Sequence, residues 1–160
     1  MKKILVTGGL GYIGSHVVVE LLTSGFEVII IDDLSNSSLV VLDGIFDITS
    51  IKPIFEKIDL KEKHLVIDFF KRYNDIDGII HFAASKAVGE SVNDPLKYYE
   101  NNINSLLFIL KALQCFKEPK FVFSSSCTVY GQADELPITE NTPIKKAESP
   151  YGNTKIIAEE

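Results

Sequence analysis

Short apolar runs alternate along the chain with longer stretches in which apolar residues recur at helical spacing. The clearest run is Glu27-Val28-Ile29-Ile30-Ile31, which is apolar almost throughout. Such a run is typical of a parallel strand that is buried on both faces. Five strands are predicted in this way, at 3–6, 27–31, 53–58, 78–82 and 120–123. Strands that alternate with helices predict an α/β fold with a doubly wound parallel sheet.

Helical spacing of apolar residues places a helix after each of the first four strands. The predicted helices cover 12–24, 39–48, 63–73 and 95–116, and a further helix begins at Pro150. Gly25 suits the C-terminal cap of the first helix, and Gly44 interrupts the second. Residues 83–91 and 127–149 are predicted as long connections. We expect one NAD-binding domain over residues 1–160, with the strand order 3-2-1-4-5 of a Rossmann sheet.

The glycine-rich stretch 7–14 lies between the first predicted strand and the first helix. Gly8 can adopt the backbone angles of a tight strand-to-helix turn. Gly11 lets a pyrophosphate approach the backbone, and Gly14 lets the helix pack closely on the strand. The N–H groups at the helix start would then face the phosphates. The alternative is an ordinary glycine-rich turn, but the flanking strand and helix favour dinucleotide binding.

Asp32 ends the second predicted strand, eighteen residues after Gly14. This spacing is close to that of the acidic residue that binds the adenosine ribose in dinucleotide-binding folds. A carboxylate there accepts hydrogen bonds from the ribose hydroxyls and repels a 2′-phosphate, so we expect NAD rather than NADP. The alternative is that Asp32 merely forms a turn, which is also a possible role of Asp33.

The composition excludes several classes of partner. The chain of 160 residues has a net charge of −6, which disfavours nucleic acid and anionic membranes as partners. No apolar run approaches the roughly 20 residues of a membrane span, and we expect no signal segment before the first strand. Cys115 and Cys127 share no metal-ligand spacing. We therefore expect a soluble cytoplasmic protein with free thiols and no metal site.

Tyr151 and Lys155 place a phenol and an ammonium four residues apart at the start of the last predicted helix. Residues with this spacing share one face of a helix, and the ammonium favours the phenolate form of the tyrosine. Tyr151 could then act as a general base toward a substrate hydroxyl, with Ser126 as a hydrogen-bonding partner. The alternative is a surface pair without function, which becomes less attractive beside a dinucleotide-binding fold.

A family resemblance covers all 160 residues. The stretches that carry it are 6–16, 86–91, 98–102, 123–131 and 149–155. On these motifs the chain resembles the N-terminal half of the extended short-chain dehydrogenase/reductases and, within them, the UDP-glucose 4-epimerase family. The glycine turn is general to the superfamily, whereas Lys86-Ala87-Val88-Gly89-Glu90-Ser91 is more specific to the epimerases.

The resemblance implies NAD as the cofactor, UDP-glucose and UDP-galactose as substrates, and a homodimer as the assembly. In this family the tyrosine takes the proton of the sugar 4-hydroxyl while hydride moves from C4 to NAD. The 4-keto sugar then turns over, and hydride returns to its other face. The implied catalytic residues are Ser126, Tyr151 and Lys155.

The resemblance also assigns binding roles along the chain. The pyrophosphate would contact Gly8, Gly11, Tyr12, Ile13 and Gly14. The adenosine ribose would contact Asp32, Asp33 and Asn36, and the adenine would lie between Asp59 and Leu60. The rest of the cofactor would be bound by Phe82, Ala83, Ala84, Lys86, Asn101, Tyr151 and Lys155. The substrate would be bound by Lys86, Ser126 and Tyr151.

Two other functions stay open at this stage. A related 4,6-dehydratase or decarboxylase would carry an acidic residue just after the serine or threonine that follows strand five, where this chain has Cys127-Thr128-Val129. The second alternative is a non-catalytic NAD-binding fragment. We expect structural roles for His81, as a packed core residue, and for Cys127, as a small filler. The pair Asn101-Asn102 could simply cap or bend the long helix, and only the resemblance assigns Asn101 to the cofactor.

The chain ends at Glu160, inside the last predicted helix. The C-terminal domain that grips the uridine diphosphate and sugar in the family lies beyond this point. We therefore expect the isolated chain to show weak or no epimerase turnover and to associate through exposed apolar surface.

Overall fold

The computed structural model describes residues 1–117 and 119–160. The strands are β1 (Lys3–Thr7), β2 (Glu27–Asp32), β3 (Ile54–Lys57), β4 (Gly78–His81) and β5 (Lys120–Phe123). The helices are α1 (Tyr12–Thr23), α2 (Val40–Thr49), α3 (Lys63–Arg72), α4 (Val88–Asn93), α5 (Pro95–Leu113) and α6 (Pro150–Glu159). A 3₁₀ turn covers Cys127–Tyr130.

The five strands form one parallel sheet in the order β3-β2-β1-β4-β5. The central strand is β1, in which Leu5 lies opposite Ile29 on one side and Ile79 on the other. This order confirms the prediction from the alternating pattern. It also brings the carboxyl ends of β1, β2 and β4 to the same edge, which is the edge where open α/β sheets bind ligands.

The described residues form two compact units. The sheet unit consists of residues 1–83 and 108–124, and the second unit consists of residues 84–107 and 125–160. Helix α5 contributes to both.

The core of the sheet unit lies on both faces of the sheet, because successive side chains of a strand point in opposite directions. One cluster packs strand residues against α3 and the end of α5; it includes Leu5, Ile29, Ile79, Val66, Phe69 and Ile109. The other packs them against α1 and α2; it includes Val6, Val28, Ile30, Val18, Leu22 and Ile45. Burial on both faces explains why the central strands are apolar throughout.

Three differences from the predicted elements exceed one residue at an element end. Helix α4 occupies part of the predicted connection 83–91, and its six residues are too few to show a helical period. The 3₁₀ turn lies inside the predicted loop 127–149. Helix α5 ends at Leu113 rather than at Phe116, although Phe116 still packs against the core. Gly44 does not break α2, where packing of Ile45 offsets the low helix propensity of glycine.

Neither a membrane-crossing helix nor a metal site is found in the part of the chain that the structure describes. No helix there is both long and apolar enough to cross a bilayer. Within the same residues, no group of three or more His, Cys, Asp and Glu side chains is placed to hold a metal ion.

Candidate functional site

Gly8 fixes the shape of the turn between β1 and α1. Its φ is +67°, in the left-handed region that favours glycine, and its N–H donates to the carbonyl of Ile31 at 2.7 Å. A Cβ at this position would lie 2.8 Å from the backbone nitrogen of Ala83. The turn therefore sits directly against the residues that follow β4, with no room for a side chain between them.

We expect Gly8→Ala to lower the free energy of unfolding by about 1–3 kcal/mol, because the backbone would be strained and the methyl group would clash with Ala83. Chemical denaturation measures the change. Gly44→Ala is the matched control, since a Cβ there meets nothing within 4 Å. The control should gain about 0.5–1 kcal/mol in the middle of α2. Equal stability of Gly8→Ala and the parent chain would contradict the tight turn.

The N-terminus of α1 is open to an anion. Gly11 is the N-cap residue, no side chain caps the helix, and its first turn contains no acidic residue. A Cβ on Gly11 would contact only the carbonyl oxygen of Gly8, at 3.2 Å. Tyr12 and Ile13, the next two residues, are exposed. Uncapped N–H groups beside glycines, which have no side chains, fit the two phosphates of a dinucleotide.

Gly14 allows α1 to close on the turn itself. A Cβ at Gly14 would overlap the carbonyl oxygen of Gly8 and come within 2.9 Å of the Cα of Gly9. The close contact at Gly14 is therefore with the turn and not, as predicted, with the strand. The consequence for binding is the same, since the helix N-terminus is held close to the end of β1.

The carboxylate of Asp32 supports the glycine turn from the end of β2. One oxygen, Oδ2, accepts the N–H of Leu10 at 3.1 Å. The other, Oδ1, accepts the N–H of Leu34 at 3.0 Å and the hydroxyl of Ser37 at 2.7 Å. Asp32 is buried, and a carboxylate has about four acceptor positions. Its role toward a ribose stays a prediction, and its role in holding the turn is new.

The other predicted adenosine contacts lie in the loops after β2 and β3. Asp33 accepts both the N–H and the hydroxyl of Ser35, at 2.8 and 2.6 Å, which is a local turn contact. Asn36 is exposed in the same loop. Asp59 is half-buried and accepts the N–H of Lys61 at 2.9 Å, while Leu60 belongs to the core.

Phe82 and Ala83 lie beside the glycine turn through contacts with Thr7. The N–H of Phe82 donates to the carbonyl of Thr7 at 3.0 Å, and the N–H of Ala83 reaches its hydroxyl at 3.4 Å. That hydroxyl is also 2.7 Å from Nδ1 of His81. His81 is buried and stacks on Phe123 with ring centroids 6.1 Å apart. Its packing confirms the expected structural role.

Helix α6 begins with a local capping arrangement. The hydroxyl of Ser149 accepts the N–H of Gly152 at 3.1 Å, and Pro150 occupies the first turn, where its missing N–H costs nothing. This cap sets the helical register in which Tyr151 and Lys155 share a face. Nζ of Lys155 lies 5.9 Å from the centroid of the Tyr151 ring, so the predicted pairing is confirmed.

Lys155 is unusually buried for a lysine, with 5% of its surface exposed. Burial lowers the pKa of its ammonium from 10.5 to about 8, because the charged form loses hydration. Strongly perturbed lysines are concentrated at functional sites. A surface tyrosine–lysine pair without function, the alternative at the level of sequence, does not fit this burial.

Ser126 caps the 3₁₀ turn after β5. Its Oγ accepts the N–H of Thr128 at 3.3 Å and the hydroxyl of Thr128 at 3.0 Å. Thr128 in turn packs near Gly152, where a Cβ would lie 3.2 Å from the Thr128 Cβ. The turn that carries Ser126 therefore contacts the first turn of α6. Cys127 is exposed, so its interpretation as a small packed filler is wrong.

Helix α5 holds the start of α6 through contacts that the sequence analysis missed. Three contacts connect the two helices: Tyr98 with Tyr151, Tyr99 with Asn153, and Asn102 with Thr154. The available signal was the polar residues at 101, 102 and 105, which come directly before the apolar run 106–110 of the same helix. That signal does not indicate which element they contact.

Asn102 is the most connected of these residues. Its Nδ2 donates to the carbonyl of Ser85 at 3.0 Å and to the hydroxyl of Thr154 at 3.0 Å, and its Oδ1 accepts the N–H of Ser85 at 2.8 Å. Asn101 donates to the Ser85 hydroxyl at 3.1 Å. The pair therefore anchors the segment after β4 rather than merely capping or bending α5. Within that segment Lys86 is exposed, and Ala84 is half-buried.

Comparison with known proteins identifies the relatives of the chain. The family model described as GDP-mannose 4,6 dehydratase matches residues 5–160. The UDP-glucose 4-epimerase of Bacillus subtilis (strain 168) is 48% identical over 157 residues, which are 98% of this chain and 46% of that protein. The chain thus spans about half the length of the curated relatives it matches.

Solved structures give the same result. A UDP-glucose 4-epimerase from Bifidobacterium longum, in complex with NAD⁺ and UDP, superposes with a TM-score of 0.95 at 44% identity, over 99% of this chain and 47% of that one. A UDP-glucose 4-epimerase from Stenotrophomonas maltophila, with bound NAD and formylated UDP-arabinopyranose, has a TM-score of 0.92 at 42% identity, with the same coverage. The resemblance found in the sequence motifs is therefore confirmed.

Proposed function

Because the chain belongs to the family described as GDP-mannose 4,6 dehydratase, we propose that it is the NAD-binding and catalytic part of a UDP-glucose 4-epimerase. The enzyme would interconvert UDP-glucose and UDP-galactose through transient oxidation at C4 of the sugar. The observation that carries the proposal is the pairing of Tyr151 with the buried Lys155 at the start of α6. The names of the similar proteins indicate the substrate class.

The sheet unit fits the cofactor. Its uncapped α1 N-terminus and its glycine turn suit a pyrophosphate, and the acidic end of β2 disfavours a 2′-phosphate. We propose that NAD contacts this unit at Gly8, Gly11, Tyr12, Ile13, Gly14, Asp32, Asp33, Asn36, Asp59, Leu60, Phe82 and Ala83. In the second unit the proposed contacts are Ala84, Lys86, Asn101, Tyr151 and Lys155. Bound NAD would supply a reversible hydride acceptor for the sugar.

Residues of the second unit would carry out the proton transfer with the sugar hydroxyl. The phenol oxygen of Tyr151 would take the proton of the sugar 4-hydroxyl and later return it. The ammonium of Lys155 would stabilise the negative charge that develops on this oxygen. Ser126 would donate a hydrogen bond to the same hydroxyl, since its Oγ accepts from Thr128 and keeps its own proton for the substrate. Lys86, exposed before α4, would contact the substrate.

The name of the family model raises dehydration as a second possibility, which the 3₁₀ turn disfavours. Elimination of water from the sugar needs a further acid or base beside the reacting carbons. Cys127, Thr128 and Val129 follow Ser126 in this chain, and none of them is a carboxylic acid. These residues support epimerisation, which needs only the tyrosine for proton transfer.

We also propose a homodimer as the assembly of the complete protein. Leu96, Leu107 and Leu110 are exposed on one face of α5, and an exposed apolar stripe is typical of a helix that packs against a partner. We propose the cytoplasm as the compartment, which agrees with the two free cysteines.

The proposal predicts that this chain binds NAD in preference to NADP, with roughly ten-fold or greater discrimination, because Asp32 repels the 2′-phosphate. Calorimetric titration measures both affinities. Conversion of UDP-galactose to UDP-glucose is then assayed with this chain alone and with the C-terminal half of the Bacillus subtilis relative supplied separately. NAD binding without conversion in either assay would favour the non-catalytic fragment.

A further inference from the structure

The ring of Tyr151 lies against a second tyrosine that is wholly buried. Tyr98, in the first turn of α5, has 0% of its surface exposed. Its ring centroid is 6.4 Å from that of Tyr151, and the two ring planes are inclined at 79°. This is the edge-to-face arrangement that aromatic pairs prefer, within the usual range of centroid distances. Rotation of the Tyr151 ring would break this contact.

The hydroxyl of Tyr98 is anchored by an ion pair. It donates to Oε2 of Glu90 at 2.6 Å, while Oε1 of Glu90 accepts from Nζ of Lys97 at 2.6 Å. Glu90 belongs to α4, whereas Lys97 and Tyr98 belong to α5. A charge-assisted bond of this length fixes the tilt of the Tyr98 ring. Burial and the hydrogen bond to Glu90 raise the pKa of Tyr98 to about 12, so this phenol remains a donor at neutral pH.

Two further hydrogen bonds hold α6 in place without setting the orientation of the Tyr151 ring. Asn153 donates to the hydroxyl of Tyr99 at 2.8 Å, and the Thr154 hydroxyl donates to the carbonyl of Tyr151 at 2.7 Å. Neither bond acts on the torsion angles of the Tyr151 side chain. Packing against the Tyr98 ring, in contrast, restricts these torsion angles.

We infer that Tyr98, held by Glu90, is a positioning residue that aims the phenol of Tyr151. The inference rests on the proposed function, because it assigns Tyr98 to the base of that reaction. Tyr98 touches neither substrate nor cofactor in this role. It acts through Tyr151, whose hydroxyl must meet a sugar hydroxyl within hydrogen-bond distance for proton transfer.

The same chain contains a matched control. The hydroxyl of Tyr73 donates to Oε1 of Glu56 at 2.9 Å, and Glu56 pairs with Arg72 at 2.7 Å. This is also a tyrosine held by a glutamate and a cation, but its ring packs on Phe69. Substitutions at Tyr73 therefore report what the loss of a packed, anchored tyrosine does to stability alone.

The test uses this chain with ¹³C-labelled tyrosine rings, observed by NMR. The Tyr151 signals are assigned by their loss in Tyr151→Phe. Tyr98→Met, which keeps a flexible apolar side chain but no ring, should shift the Tyr151 ring signals. Tyr98→Phe keeps the ring but loses the hydrogen bond to Glu90, so it should shift these signals less than Tyr98→Met does. Tyr73→Met should lower the melting temperature without moving the Tyr151 signals.

In the conversion assay with the C-terminal half supplied, Tyr98→Met should lower kcat by about ten- to a hundred-fold, with KM within about two-fold of the parent value.

Unmoved Tyr151 signals in folded Tyr98→Met would overturn the positioning role. If Tyr98→Met does not fold, the parent chain decides: ring-to-ring nuclear Overhauser effects between Tyr98 and Tyr151 support the inference, and their absence overturns it. The NMR measurement does not depend on turnover. A failure of the positioning role can therefore be distinguished from a failure of the proposed function. Shifted signals in a protein without conversion contradict the proposed function alone. Conversion at the parent rate with unmoved signals contradicts the positioning role alone.

Discussion

Tyr151→Phe should reduce interconversion of UDP-glucose and UDP-galactose by about 10²- to 10⁴-fold, the usual contribution of a positioned general acid or base. The substitution removes only the phenolic hydroxyl. The ring remains to pack against Tyr98 and to lie 5.9 Å from Nζ of Lys155. The loss should therefore appear in kcat, and the protein should keep its fold. Its affinity for NAD should fall far less than the rate, because the ring of residue 151 remains as a proposed NAD contact.

The measurement is the initial rate with the C-terminal half of the Bacillus subtilis relative supplied, together with calorimetric NAD binding. Tyr73→Phe is the control, since it also removes one hydroxyl from a tyrosine that is hydrogen-bonded to a glutamate. The control should convert substrate at the parent rate. An unchanged rate for Tyr151→Phe would remove this residue from the proton transfer.

Lys155→Met should stabilise the ligand-free chain at neutral pH while it impairs the reaction. The pKa of Lys155 is lowered to about 8 by burial, so the folded state holds the proton less tightly than the unfolded state. This difference costs about 3 kcal/mol of stability wherever the lysine is protonated in both states. Methionine removes the cost, and the melting temperature should rise by roughly 5–10 °C.

The pH dependence identifies the cause. The folded pKa of Lys155 lies below the unfolded value, so its cost is complete below about pH 8 and disappears as the pH rises toward 10.5. The stability gain of Lys155→Met over the parent should shrink across the same interval. Lys111→Met, at an exposed lysine of α5, should show no gain at any pH. A gain that is constant with pH would attribute the effect to packing rather than to charge.

Features encoded by local pattern were predictable from the sequence. The central strands are recognisable because burial on both faces makes their middle residues apolar, as at 28–31 of β2. The turn at Gly8 is recognisable because few residues other than glycine adopt its backbone angles. The pairing of Tyr151 with Lys155 follows from helical geometry alone.

Features that depend on distant parts of the chain were not predictable. The burial of Lys155 is set by what packs around α6, and a lysine in a sequence gives no sign of it. Asn102 contacts Ser85 and Thr154, which are 17 and 52 residues away along the chain. Helix α4 was missed because six residues make fewer than two helical turns, which is too short for a recurring apolar stripe.

Asp32 affects both the choice of coenzyme and the stability of the glycine turn. Its carboxylate carries the negative charge expected to reject NADP, and the same two oxygens accept from Leu10, Leu34 and Ser37. A simple exchange of this residue for a small neutral one would loosen the glycine turn while it altered coenzyme preference. Redesign toward NADP therefore requires new hydrogen-bond acceptors for the donors of residues 10, 34 and 37, and natural divergence along this route requires several coordinated substitutions.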